Sequence, residues 1–340
     1  MRQISWFLVS VIMAAGASFA PESGAQSGGD GVREAGAGSI RRVDPRLDAL
    51  VPADASIEKL ADGFVFIEGP IWVRDESRLL FSDVRGNTIY QWTEADGASA
   101  FIDPVFDGDT SGLGSVGSNG LTLDAEGRLV ICEHGNRVIS RLESDGTRST
   151  VVDAYHGSRL NSPNDLVYSS DGWLYFTDPS YGLEGLEDSP LREVDFNGVY
   201  RLSPAGELEL ISRDQTRPNG IALSPDESTL YVANSDPNKA LWMAYDVGAD
   251  GVSNPRVFYD VTGEEAEGSA DGMKVDNAGN VFATGPGGVW IFSPDGAHLG
   301  TIHPNEVPAN VAWGDDGRTL YMTARTGLYR IRLSTAGAIP

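Results

Sequence analysis

Short apolar runs separated by Asp-Gly and Pro-Asp turns recur from about residue 57 to the end of the chain. Runs this short, bounded by turn residues, predict strands rather than helices. One phrase returns six times: an acid or amide, an apolar strand, a tight polar turn, and a second apolar strand. Its copies begin at Glu68, Asn119, Asn164, Asn219, Asp271 and Asn310, which lie 51, 45, 55, 52 and 39 positions apart. In the sixth copy the turn is shorter, and a gap-free alignment puts Ala309 at the leading position. Each copy continues with a third strand, and the first five also with a fourth. The third-to-fourth turns carry Gly97, Gly146, Gly206, Gly251 and Gly296, which tight hairpins favour. Six units of four antiparallel strands predict an all-β, six-bladed propeller. The sixth unit ends after its third strand, so Ile57 to Phe66 is expected to supply its outer strand and close the ring.

In a propeller the first strand of every blade lines the central channel, so the six leading residues are expected at one mouth of it. The loops between second and third strands return to that face. All six leaders offer oxygen, and neither Cys nor His is among them. That set argues for a hard divalent cation, with calcium as the best match. Magnesium, manganese and zinc stand as alternatives. An Asn-Gly or Asp-Gly pair is also an ordinary turn signal, and Asn119 is open to that reading. The loop from Thr177 to Asn197 is the longest on the same face and is expected to wall a substrate pocket. His134 and His156 are candidates to donate hydrogen bonds or relay protons there. Arg159 and Tyr181 are candidates to hold a polyol or carboxylate.

Charge and composition narrow the field. A net charge of −24 leaves no basic stripe for phosphates and excludes nucleic acid as a partner. The one cysteine, Cys132, precludes an internal disulfide and is expected to be a buried thiol. Met1-Arg2 followed by apolar Ile4 to Ala15 and small residues reads as a signal peptide over 1–25, cleaved near 17–25. Export to the periplasm or exterior follows, with no stable membrane span after cleavage. Residues 26–54 are expected to form a flexible leader without core residues, and 55–335 the propeller. A monomer is the default expectation.

The strings IEGPIW (67–72), ICEHGNR (131–137), RLNSPNDLV (159–167), YFTDPSYGL (175–183), RPNGIALSPDE (217–227) and ADGMKVDNAGN (270–280) closely resemble the SMP-30/gluconolactonase family, bacterial gluconolactonase branch. The resemblance implies a propeller with one catalytic divalent cation in its channel. It implies Glu68, Asn164, Asn219 and Asp271 as cation ligands, and Asp271 as the general base, with water activated directly by the cation as the competing account; Asn164 is also a candidate substrate contact. Asn119 and Asn310 fall outside that set and revert to pocket or turn residues. The implied reaction is hydrolysis of gluconolactone or a related sugar lactone, a small-molecule substrate. An esterase or phosphotriesterase using the same cation, and a non-catalytic sugar- or protein-binding propeller, are the alternatives. No nucleophile-elbow serine or Ser–His–acid spacing is present, which argues against acyl-enzyme chemistry.

Overall fold

The structure is a computed structural model that describes residues 31–339. The expected signal peptide, and the part of the expected leader before residue 31, lie outside the described residues.

Six antiparallel sheets stand around a channel as the repeat predicts. The innermost strands are Ile67–Val73, Ser118–Leu123, Leu166–Tyr168, Pro218–Leu223, Met273–Val275 and Asn310–Gly314. Each touches the next, and the sixth touches the first. Ring closure follows the expected route. Ile57–Asp62 pairs with Gly327–Arg332, Ile57 opposite Ile331 and Asp62 opposite Gly327, and completes blade six. The five turn glycines all take positive φ, from 69° at Gly97 to 113° at Gly251. A Cβ would be strained there.

The apolar core forms six slabs, one between each pair of blades. Between blades one and two, Ile71, Leu80 and Ile89 meet Leu121, Leu129 and Ile131. At the closing junction Trp72 stacks on Tyr321 with ring centroids 5.4 Å apart, beside Ile67, Phe81 and Leu328. Because apolar side chains fill the spaces between blades, the axis is left to backbone and polar groups. Cys132 is fully buried between blades two and three.

The leader expected over 26–54 needs correction from residue 31 onward. Gly31–Glu34 and Gly38–Arg42 form a hairpin whose second strand adds to the outer edge of blade five, with Ile40 opposite Ile302. A 3-10 turn at Pro45–Ala49 follows; Asp44 caps it by accepting from the Arg46 N–H at 2.9 Å. Ile40, Leu47 and Val51 are wholly buried against blades five and six. The segment is poor in apolar residues, but its few side chains fill holes in an existing surface. Its backbone is satisfied by an edge strand that would otherwise be open. Neither property leaves a period in the sequence.

Candidate functional site

The Gly that follows four of the six leaders explains how they reach the axis. A Cβ on Gly69 would lie 2.0 Å from the Asn119 carbonyl oxygen, and one on Gly220 would lie 2.3 Å from that of Asp271. A Cβ on Gly120 would lie 2.6 Å from the Asn164 carbonyl oxygen, and one on Gly272 would lie 2.0 Å from the Asn310 side chain. Innermost strands therefore approach nearest at these glycines, each against the next blade's leader. Of the four, only Gly69 has positive φ. The Asn-Gly and Asp-Gly pairs here mark close backbone approach rather than turns. Pairing with the second strand slips at the same points, between Glu68 and Ile71, Ser118 and Leu121, and Pro218 and Ile221. Such bulges re-aim a side chain, here toward the channel.

Second strands supply the fixings. Ser82 and Thr177 donate to the carbonyls of Asn119 and Asn219, each at 2.7 Å, and Thr284 donates to that of Ala309 at the same distance. Asp83 accepts from the N–H groups of Val65 and Phe66, and Asp178 from those of Asn161 and Ser162. These bonds hold the segments leading into the first and third leaders. In the repeat these hydroxyls and acids stand one residue apart, as Ser82-Asp83 and Thr177-Asp178, a signal readable in the sequence beside the leaders.

The leaders converge on a cavity of about 620 Å3. Glu68, Asn119, Asn164, Asn219 and Asp271 line it, with His134 and Tyr181 on the wall. Asn310 sits outside the lining: its Nδ2 donates to Glu68 Oε2 at 2.9 Å and its Oδ1 accepts from the Val311 N–H. Both ends of that amide are engaged. Glu68 Oε2 also accepts from the Gly69 N–H at 2.7 Å, leaving Oε1 as the less committed oxygen. Asn219 donates through Nδ2 to Ser235 Oγ at 2.8 Å, which leaves its side-chain Oδ1 as the free end of the amide. Asp271 Oδ1 and Asn119 Oδ1 are buried with no hydrogen-bond partner.

Buried acids crowd this floor. Burial raises the Glu68 carboxyl to about 7, and the charge of Asp165 adds to the effect. Burial raises Asp271 well above the usual carboxylate range, reinforced by the charges of Glu68 and Asp165. Asp165 itself points into the strands, accepting from the N–H groups of Leu166 at 2.9 Å and Ile221 at 3.3 Å. It braces the site without lining it. Lys274, three residues beyond Asp271, supplies the positive charge felt by Asp165 and Glu68.

These residues fit a hard divalent cation. Two desolvated carboxylates, one with an orphaned oxygen, and amide oxygens turned to the same cavity form an all-oxygen donor set. Unpaired buried carboxylates are costly and a cation relieves them. No group of three or more His, Cys, Asp or Glu side chains able to hold a metal occurs among the described residues. The amides are therefore integral to any such site, and a soft or imidazole-seeking ion is disfavoured.

His134 is buried, its Nδ1 lies 2.8 Å from Ser115 Oγ, and its Nε2 has no partner. Burial lowers its imidazole to about 4, so it is neutral near pH 7. Burial also raises the Tyr181 phenol, which stays protonated. The long loop reaches the mouth through Tyr181, Leu183 and Leu186, as expected. Arg159 does not reach it: exposed, it donates to the Asn136 carbonyl, and Glu193 accepts from its N–H. His156 likewise stays outside the lining, packed on Tyr155. The two-residue strands Ala154–Tyr155 and Ser158–Arg159 fold that stretch into a separate hairpin. The arginines at the cavity are Arg85 and Arg217, the latter immediately before Pro218-Asn219 and paired with Glu187 at 3.2 Å. Arg217 stands two residues before a leader, which is the signal the sequence carries for it.

Comparison with known proteins agrees with this architecture. The signature of the SMP-30/Gluconolactonase/LRE-like region matches residues 66–326. A gluconolactonase of Zymomonas mobilis is 40% identical over 314 residues, covering 88% of this chain and 87% of that protein. A pentonolactonase of Haloferax volcanii is 27% identical over 268 residues, covering 76% and 81%. The solved structure of a gluconolactonase from Xanthomonas campestris superposes with a TM-score of 0.77 at 31% identity, covering 89% of this chain and 97% of that one. The chain belongs to the SMP-30/gluconolactonase/LRE-like family.

Proposed function

We propose that the protein is a lactonase that opens a sugar lactone, gluconolactone or a close relative, with a divalent cation held by Glu68, Asn164, Asn219 and Asp271. The observation that carries this reading is the unpartnered, buried Asp271 Oδ1 on the floor of an open cavity, next to Glu68. Calcium is the proposed ion. When bound, it would supply Lewis-acid polarisation of the acyl oxygen and stabilise the oxyanion.

The chain's own groups account for the remaining steps. Asp271 takes a proton from the attacking water, its carboxylate standing on the cavity floor beside Glu68. The water oxygen bonds to the acyl carbon, the ring C–O bond breaks, and the leaving alkoxide receives a proton, giving the hydroxy acid. Neutral His134 offers Nε2 to a lactone oxygen or hydroxyl while Ser115 holds Nδ1. Asn164 and Tyr181 contact the sugar hydroxyls from the floor and wall. The expected signal peptide would place this reaction outside the cytoplasm.

The test compares wild type with Asp271→Asn on sugar lactones, aliphatic lactones and phosphotriesters, before and after chelation. Sugar-lactone turnover lost on chelation, restored by calcium and lower by at least about a hundredfold in the variant supports the mechanism. Chelator-insensitive turnover or a fully active variant would sink it.

A further inference from the structure

A second cavity, of about 420 Å3, opens beside the first. Arg217 lines both. Leu186 and Pro237 face the large cavity, and their chain neighbours Glu187 and Asp236 face the small one. The partition is thus one residue thick, and its polar part is the Arg217–Glu187 pair, with nitrogens 3.2 and 3.3 Å from the two carboxylate oxygens. Two donors on the lining residues of the small cavity lack acceptors. Gln215 is 3% exposed; its Oε1 accepts from the Tyr245 hydroxyl at 2.7 Å, and its buried Nε2 has no partner. Arg192 donates through Nη1 to the Glu187 carbonyl, while its buried Nε is unpaired. A buried donor left without an acceptor is unfavourable, and a ligand oxygen that reached it would relieve that. Three guanidiniums (Arg192, Arg213, Arg217) share the lining with the carboxylates of Glu187, Asp195 and Asp236. That balance suits a neutral ligand that both donates and accepts, rather than an anion. Phe196 adds a half-buried ring, with the Arg213 guanidinium 5.8 Å from its centroid.

Cavities of about 300–1,000 Å3 enclose drug-sized ligands, and a monocyclic lactone is well below that size. We propose that the small cavity is a subsite for a second sugar, so that the preferred substrate is an aldonolactone carrying a glycosyl unit. The proposal rests on the lactonase reading. The lactone ring lies over Asp271, and the glycosyl unit passes Arg217 to meet Gln215 and Arg192.

The experiment measures kcat/KM of the calcium-loaded enzyme for gluconolactone and for the lactones of cellobionic, maltobionic and lactobionic acids, with spontaneous hydrolysis subtracted. At least one disaccharide lactone is expected to exceed gluconolactone about tenfold, the worth of one or two hydrogen bonds. Gln215→Glu, which keeps the acceptor for Tyr245 but removes the donor, and Arg213→Ala, at an exposed position, should each lower the disaccharide value about five- to tenfold and leave gluconolactone within about twofold. The exposed variant keeps the test decisive if the buried one misfolds. Turnover of gluconolactone without any disaccharide advantage, or variants that move both substrates alike, overturns the subsite and leaves the lactonase reading standing. Absence of turnover on every lactone overturns both.

Discussion

Asn310 Nδ2 donates to Glu68 Oε2 at 2.9 Å across the closing junction of the ring, joining residues 242 positions apart. The last blade's leader thereby aims the first blade's. Asn310→Ala removes the donor while sparing the strands around it. Calcium affinity by titration calorimetry should fall about 10–100-fold, the usual effect of losing a group that orients a metal ligand. An unchanged affinity would show that Glu68 needs no such support.

Calcium should stabilise the protein, and more so at high pH. The Glu68 carboxyl sits at about 7 against an ordinary value of 4.5. A raised value means that this group's stabilising share is full below 4.5 and is lost as pH rises through about 7. The chelated protein therefore loses stability over that window, where a cation takes over the proton's role. Calorimetry should show a melting increment of several degrees at about a hundredfold excess over Kd. The increment should be larger near pH 8 than near pH 5. Equal increments would argue against a cation at these oxygens.

His134 has the opposite sign. Its folded value of about 4 lies below the ordinary 6.5. Its contribution is present above 6.5 and is lost as pH falls toward about 4, up to about 3 kcal/mol in all. In urea unfolding, the stability difference between wild type and His134→Gln should shift against wild type over that interval. A pH-independent difference would mean that the imidazole is protonated or solvated in the fold.

Leu47 is fully buried in the slab between blades five and six although it precedes the repeat. Leu47→Ala should cost about 2–4 kcal/mol in unfolding free energy, with kcat/KM within about twofold of wild type. A loss near zero would return the segment to the flexible leader first read from its composition.

Much of the molecule was legible because a repeat writes one physical requirement six times. The leaders, the closing strand at Ile57–Asp62 and the hairpin glycines each recur in register or complete a unit, so they stand out from local turn chemistry. The segment at 31–51 recurs nowhere. Its Ile40, Leu47 and Val51 answer to holes in a surface that exists only once the blades have assembled.

The sequence by itself determined the number of blades, the way the ring closes and the ring of oxygen donors, since strand length, turn type and side-chain character are local properties that repetition amplifies. Tertiary structure decided which donors are free. Asn310 is consumed by Glu68 and Val311, Asn219 is oriented by Ser235, and Asp271 Oδ1 is left without a partner. It also put Arg85 and Arg217, not Arg159, at the cavity. Those outcomes depend on which groups from distant blades come within hydrogen-bonding distance, and spacing along the chain does not encode that distance.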